Sequence, residues 1–252
     1  MQACSTLNVV SDERQPPRDS LLMHRLVALI EVLICSDYPT QLALGATFAL
    51  VGLGPYTAQG HLRLGYVVGL SLADAVVLLA LILVFLRAHG ERPRDVFFGH
   101  RPIAGEAAIG VPLILAAFGI GIAVLAPIQR FAPWLHTVER NPLQTLLQSP
   151  GDAWWFALVV VVAGGVREEI QRAFLLHRFD RWLGGGVIGI IVTSAMFGAG
   201  HLLQGADAVI ATGLLGAFWG AIYLRRRSAV AGMVSHSGFD LLQILQFMAV
   251  GR

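Results

Sequence analysis

Seven apolar stretches, each near the length that crosses a lipid bilayer, recur along the chain at roughly 39–53, 64–86, 107–127, 153–176, 185–203, 206–224 and 229–250. A helix needs about 20 mostly apolar residues to span the hydrocarbon core. Only 13 % of the 252 residues are charged, against about 25 % in a soluble domain, and the mean hydropathy is +0.67. The expected fold is all-α: a polytopic transmembrane helical bundle of about seven spans. Residues 1–25, rich in Pro and charge, read as a poorly ordered cytoplasmic lead, 26–150 as N-terminal membrane helices and loops, and 151–252 as a core of four helices. The first span is the weakest. The sequence "LVALIEVLICSDYP" before it carries Glu31 and Asp37, which read as interfacial.

Arginine placement gives an independent topology. All 18 basic residues are Arg. Arg14, Arg18 and Arg25 precede the first span. Arg87, Arg92, Arg94 and Arg101 follow the second, Arg178 and Arg181 the fourth, and Arg225, Arg226 and Arg227 the sixth. Alternating spans put all of these on one side, the cytoplasmic one by the positive-inside rule. The opposite links hold only Arg63, Arg130 and Arg140. The chain therefore reads as an integral protein of the cell (inner) membrane, N-terminus inside and C-terminus outside. The longest outer link, 128–152, is placed to cover the outer mouth of the bundle. A basic n-region followed by an apolar h-region is absent from the first 20 residues, so targeting falls to the first span. A net charge of +2 implies no nucleic-acid partner, and Cys4 and Cys35 make neither a disulfide framework nor a zinc spacing.

An ionisable group at mid-bilayer costs about 2.5–3.5 kcal/mol and needs a partner or a task. "GGVREEIQRAF" puts Arg167, Glu168, Glu169 and Arg172 in the fourth span. On a helix Glu168 and Arg172 are i,i+4 neighbours, and Glu169 and Arg172 are i,i+3 neighbours. "SAMFGAGHLL" places His201 near the end of the fifth span, and "VSHSGFDLL" places His236 and Asp240 on one face of the seventh. A carboxylate one turn away can hold an imidazole in a defined tautomer. The first three spans offer no comparable set, and Asp74 is a lone acid without an evident partner. A shielded carboxylate can act as a general base near neutral pH. Two imidazoles can support an oxyanion, or with a carboxylate bind a metal.

These residues resemble the CAAX-protease and bacteriocin-processing (CPBP, or Abi) intramembrane peptidases, which include the prenyl endopeptidases. The family pattern is Glu-Glu-x-x-x-Arg, then Phe-x-x-x-His, then His-x-x-x-Asn/Asp, on separate helices. "FGAGH" supplies Phe197 and His201, and "HSGFD" supplies His236 and Asp240. The first motif departs from the pattern, because Arg172 follows Glu169 by three residues, not four. If the Glu pair sets the register, Glu168 is the water-activating residue and Glu169 the partner of Arg172. Glu169 as the base stays open, since the two carboxylates point about 100° apart.

The resemblance implies an endopeptidase acting on a membrane-tethered peptide or protein. Glu168 would activate water, His201 would position it, His236 and Asp240 would stabilise the oxyanion, and Arg172 would hold the Glu pair ionised. Glu168, His201 and His236 would also permit Zn2+, so metal dependence stays open. A catalytically silent scaffold or immunity protein is the alternative, with a proton-coupled transporter third. One tension runs through the reading. His236 lies about 10 Å from the inner end of its span and His201 about 24 Å from that of its own.

Overall fold

Backbone N–H and C=O groups in an apolar environment must be satisfied within the chain, and here helices do it. The computed structural model describes residues 18–139 and 141–250. It is 81 % helical, with no strand among the described residues. Residues 1–17, Arg140 and 251–252 lie outside it, and with them most of the expected cytoplasmic lead. Helix α1 (Arg18–Ile34) begins within residues 1–25.

Helix α2 (Tyr38–Leu50) follows, then α3 (Leu64–Ala88), the short α4 (Pro93–Phe97) and α5 (Ile103–Phe131). Helix α6 (Pro150–Val159) runs through a π-helical segment, Val160–Arg167, into α7 (Glu168–Trp182). Helices α8 (Gly186–Ala199), α9 (Ala206–Arg226) and α10 (Val230–Val250) complete the chain. Among the described residues, three helices are long and apolar enough to cross a membrane: α3, α5 and α9. The first expected span is only the 13-residue α2, and the fifth is the 14-residue α8, about 20 Å each. Val76, Val84, Leu115, Ile122, Val187 and Ile191 are large apolar side chains left exposed on α3, α5 and α8. In a membrane protein such faces meet lipid.

The long helix Pro150–Trp182 is built from its sequence in three steps. Ser149 caps it with a reciprocal box, accepting from Asp152 N at 3.2 Å while Asp152 Oδ2 accepts from Ser149 N at 2.7 Å. The run "VVVAGGVR" then widens into the π-helical segment, a geometry that recurs at functional sites. Its glycines let α10 pack against it. A Cβ on Gly165 would fall 1.8 Å from Ser237 Oγ, and one on Gly164 would fall 3.0 Å from Asp240 Oδ2. No side chain fits between the two helices there.

The Arg-rich ends of the helices meet at one end of the molecule. Glu31, read from the sequence as interfacial, is 3 % exposed. Its Oε2 accepts from Arg178 Nε at 2.5 Å, and Oε1 contacts His89 Nε2 at 2.6 Å. Burial of a carboxylate among apolar helices is tolerable only because these partners saturate it. Glu106 accepts both Arg226 Nε and Nη2 at 2.7 and 2.8 Å. Glu91, in the link between α3 and α4, takes Arg178 Nη1 at 2.6 Å, His177 Nε2 at 3.1 Å and Arg181. Burial alone would raise the Glu91 carboxyl, but hydrogen bonds from His177 and Arg178, with their charges, outweigh it and lower its pKa from 4.5 to about 2.

A carboxylate depressed in the folded state contributes stability that is full above its unfolded pKa and disappears as pH falls through the folded value. Thermal melts are therefore expected to show Tm falling as pH is lowered from about 4.5 to about 2. Glu91→Gln should lower Tm at neutral pH and flatten that acid limb.

Candidate active site

At the first turn of α7 the two carboxylates separate. Glu169 is 2 % exposed and ion-paired to Arg172, one helical turn on. Its Oε1 also takes His236 Nδ1 from α10 at 3.0 Å. Glu168 points elsewhere: its side chain is 19 % exposed and lines a cavity of about 670 Å³. Its Oε2 lies 3.8 Å from His236 Nε2, and its Oε1 3.9 Å from Arg167 Nη2. Of the two Arg172 pairings that helical spacing allows, the i,i+3 one with Glu169 is present. Gly232 makes room for it, since a Cβ there would sit 2.6 Å from Glu169 Oε2.

His236 is fixed on every side. Its ring stacks on Trp219 of α9 at 3.9 Å and meets Phe197 of α8 edge-on at 6.0 Å. Asp240 Oδ2 lies 3.6 Å from its Nε2, one turn along α10. Arg172 lies over both Phe197, at 4.8 Å, and Trp219, at 5.7 Å, so its guanidinium is held by π faces as well as by Glu169. Trp219 is anchored in turn by Nε1 donating to Ser235 Oγ at 3.2 Å.

His201 lines the same cavity but lies beyond the Phe197 ring, 4.8 Å from it. Helix α8 ends at Ala199, and His201 follows in a turn whose Nδ1 is 2.8 Å from the Phe197 carbonyl oxygen. A carbonyl only accepts, so Nδ1 carries the hydrogen and the neutral ring keeps its Nε2 lone pair. His201 and His236 thus both line the cavity, each against the Phe197 ring, without touching each other. Among the described residues no three His, Cys, Asp or Glu side chains group to hold a metal ion. The expected zinc set of Glu168, His201 and His236 is not such a group: Glu168 and His236 approach to 3.8 Å, while His201 packs on the Phe197 ring and bonds the Phe197 carbonyl.

The link after α5 covers the far end of the cavity. His136 Nδ1 meets Asp207 Oδ2 at 2.6 Å, and Asn141 Nδ2 donates to Gln204 Oε1 at 3.1 Å. The exposed Gln144 and Gln129 line the cavity at that end.

The N-terminal spans, from which the sequence offered nothing comparable, also reach the site. Asp37, between α1 and α2, reaches Arg167: its Oδ2 is 3.1 Å from Arg167 Nη1. Asp74 of α3 is fully buried with its Oδ2 3.7 Å from Arg167 Nη2, so the acid without an evident partner has one. The signal was charge bookkeeping. Arg172 has Glu169, which leaves Arg167 as the intramembrane cation nearest in need of a buried acid.

Residues 150–242 match the family model described as "Rce1-like: Type II CAAX prenyl endopeptidase Rce1-like". Over this segment the chain is similar to the CPBP family, whose members of this type are CAAX-type intramembrane proteases. No curated protein matches the chain, and no solved structure does.

Proposed function

We propose that this protein is an intramembrane endopeptidase that hydrolyses a peptide bond of a membrane-tethered protein or peptide, with Glu168 as the base. The observation that carries this reading is the division of labour between neighbouring carboxylates. Glu169 is buried and spent on Arg172 and His236, while Glu168 is turned to the cavity with no partner closer than 3.8 Å.

The chemistry follows from the donor and acceptor inventory. A water in the cavity gives one hydrogen bond to Glu168 and the other to the His201 Nε2 lone pair. Glu168 takes the first proton as the oxygen attacks the carbonyl carbon. His236, carried as the imidazolium among Glu168, Glu169 and Asp240, donates Nδ1–H to Glu169 and turns Nε2–H to the oxyanion, with Asp240 setting the ring's orientation. Glu168 then returns its proton to the departing amine, which closes the proton balance.

The family match favours this reading over a silent scaffold, and the four expected spans beyond α3, α5 and α9 complete the bundle in it. Cleavage of membrane-tethered peptides in liposomes by wild type, Glu168→Gln, Glu169→Gln and His201→Ala tests it. Equal product from all four proteins overturns it.

Topology adds a second expectation. With the Arg-rich end in the cytoplasm, the cavity end at Gln144 faces away from it. In a Cys4→Ala background, Gln144→Cys should react with a membrane-impermeant maleimide in intact cells. Labelling only after permeabilisation would reverse the orientation.

A further inference from the structure

We propose that Arg167, anchored by Asp37 and Asp74, is a positioning residue for Glu168, so that helices outside the family match complete the active site. The proposal rests on Glu168 being the base.

The guanidinium is 4 % exposed and its two ends do different things. Nη1 is held, by Asp37 Oδ2 at 3.1 Å and by Gln171 Oε1 at 3.2 Å. Nη2 stands between Asp74 Oδ2 at 3.7 Å and Glu168 Oε1 at 3.9 Å. One cation thus faces acids from the α1–α2 link, from α3 and from the first turn of α7.

The anchor is itself braced. Asp37 adopts φ +82°, a conformation that non-glycine residues rarely hold. Such backbone persists where its surroundings over-determine it, and they do so here. Gln171 Nε2 donates to the Cys35 carbonyl at 2.8 Å, Tyr38 Oη donates to the Met196 carbonyl at 2.7 Å, and Gln41 Nε2 donates to Asp37 Oδ2 at 2.7 Å. The α1–α2 link is therefore fastened to α7 and α8 on either side of the carboxylate that grips Arg167.

A cluster built for stability alone would close its hydrogen bonds, because buried orphans are costly. Here Arg167 Nε is buried without one, and Asp74 Oδ2 faces Nη2 at 3.7 Å, beyond hydrogen-bonding distance. Charge without closure suits a group that steers a neighbour's carboxylate by attraction. A misplacement of about 1 Å at a catalytic group can cost about 100-fold in rate.

Removing Arg167 alone strands two acids, so the variant to test is the neutral pair Arg167→Gln with Asp74→Asn, beside Arg167→Lys. On the tethered-peptide substrate the neutral pair should fold and keep KM within about two-fold while kcat falls about 10- to 100-fold. Arg167→Lys, which keeps the cation, should recover most of the loss. A folded neutral pair with wild-type kcat overturns the proposal.

A second readout needs no substrate. Thermal melts of Arg167→Gln, Glu168→Gln and the two combined should be non-additive by about 3 °C or more. Additive shifts overturn the proposal even if no peptide is cleaved. Absence of cleavage with non-additive melts would instead discard the peptidase reading and keep the coupling.

Discussion

Glu168→Gln is expected to lower turnover by about 10²–10⁴-fold, the usual contribution of a positioned general base, while leaving the fold in place. The substitution keeps the side chain's size and removes its ability to take a proton. Its structural cost is small because the ionic neighbours of Glu168 lie at 3.8 and 3.9 Å, beyond hydrogen-bonding distance, and its side chain is 19 % exposed. Turnover measured beside a thermal melt checks it: activity should collapse while Tm moves by only a few degrees. Unchanged turnover would take Glu168 out of the chemistry.

Arg172→Gln should fail in the opposite way, through stability. Glu169 is 2 % exposed, and Arg172 is the cation that compensates it. Removing one partner of a buried pair costs about 3–5 kcal/mol, because the remaining charge stays in a low-dielectric interior. For a chain of this size that corresponds to a Tm lower by about 6–20 °C. Lysine is expected to rescue only in part. It restores a charge but not the planar group that lies 4.8 Å from Phe197 and 5.7 Å from Trp219. A melt of Arg172→Gln indistinguishable from wild type would show that Glu169 does not depend on this pair.

Which parts of this arrangement could be read from residues alone follows from the range of the forces involved. Apolar runs and i,i+3 or i,i+4 spacings are local, so α3, α5, α9 and the contacts Glu169–Arg172 and His236–Asp240 could be anticipated. Breaks within apolar runs are set by packing. Helix α8 stops at Ala199 and α2 stops at Leu50 inside stretches that hydropathy reads as continuous. The π-helical turn before Glu168 was likewise invisible, because "VVVAGGVR" widens only in concert with the approach of α10 at Gly165.

Long-range charge pairing lies beyond such local rules. Glu31 finds Arg178, 147 residues away, and Asp37 and Asp74 find Arg167. Periodicity carries no information about such pairs. The requirement that each buried charge have a partner does: Asp74 and Arg167 are buried ions that each need one.

Water activated beside Glu168 is proposed to cleave a peptide bond within the membrane. Wild-type protein in liposomes should therefore be incubated with a membrane-tethered peptide in ¹⁸O-labelled water and its products weighed by mass spectrometry. The expected products are two fragments, with one ¹⁸O in the new C-terminal carboxyl group, and none formed by Glu168→Gln. Intact peptide with the wild type, or equal cleavage by the variant, would contradict it.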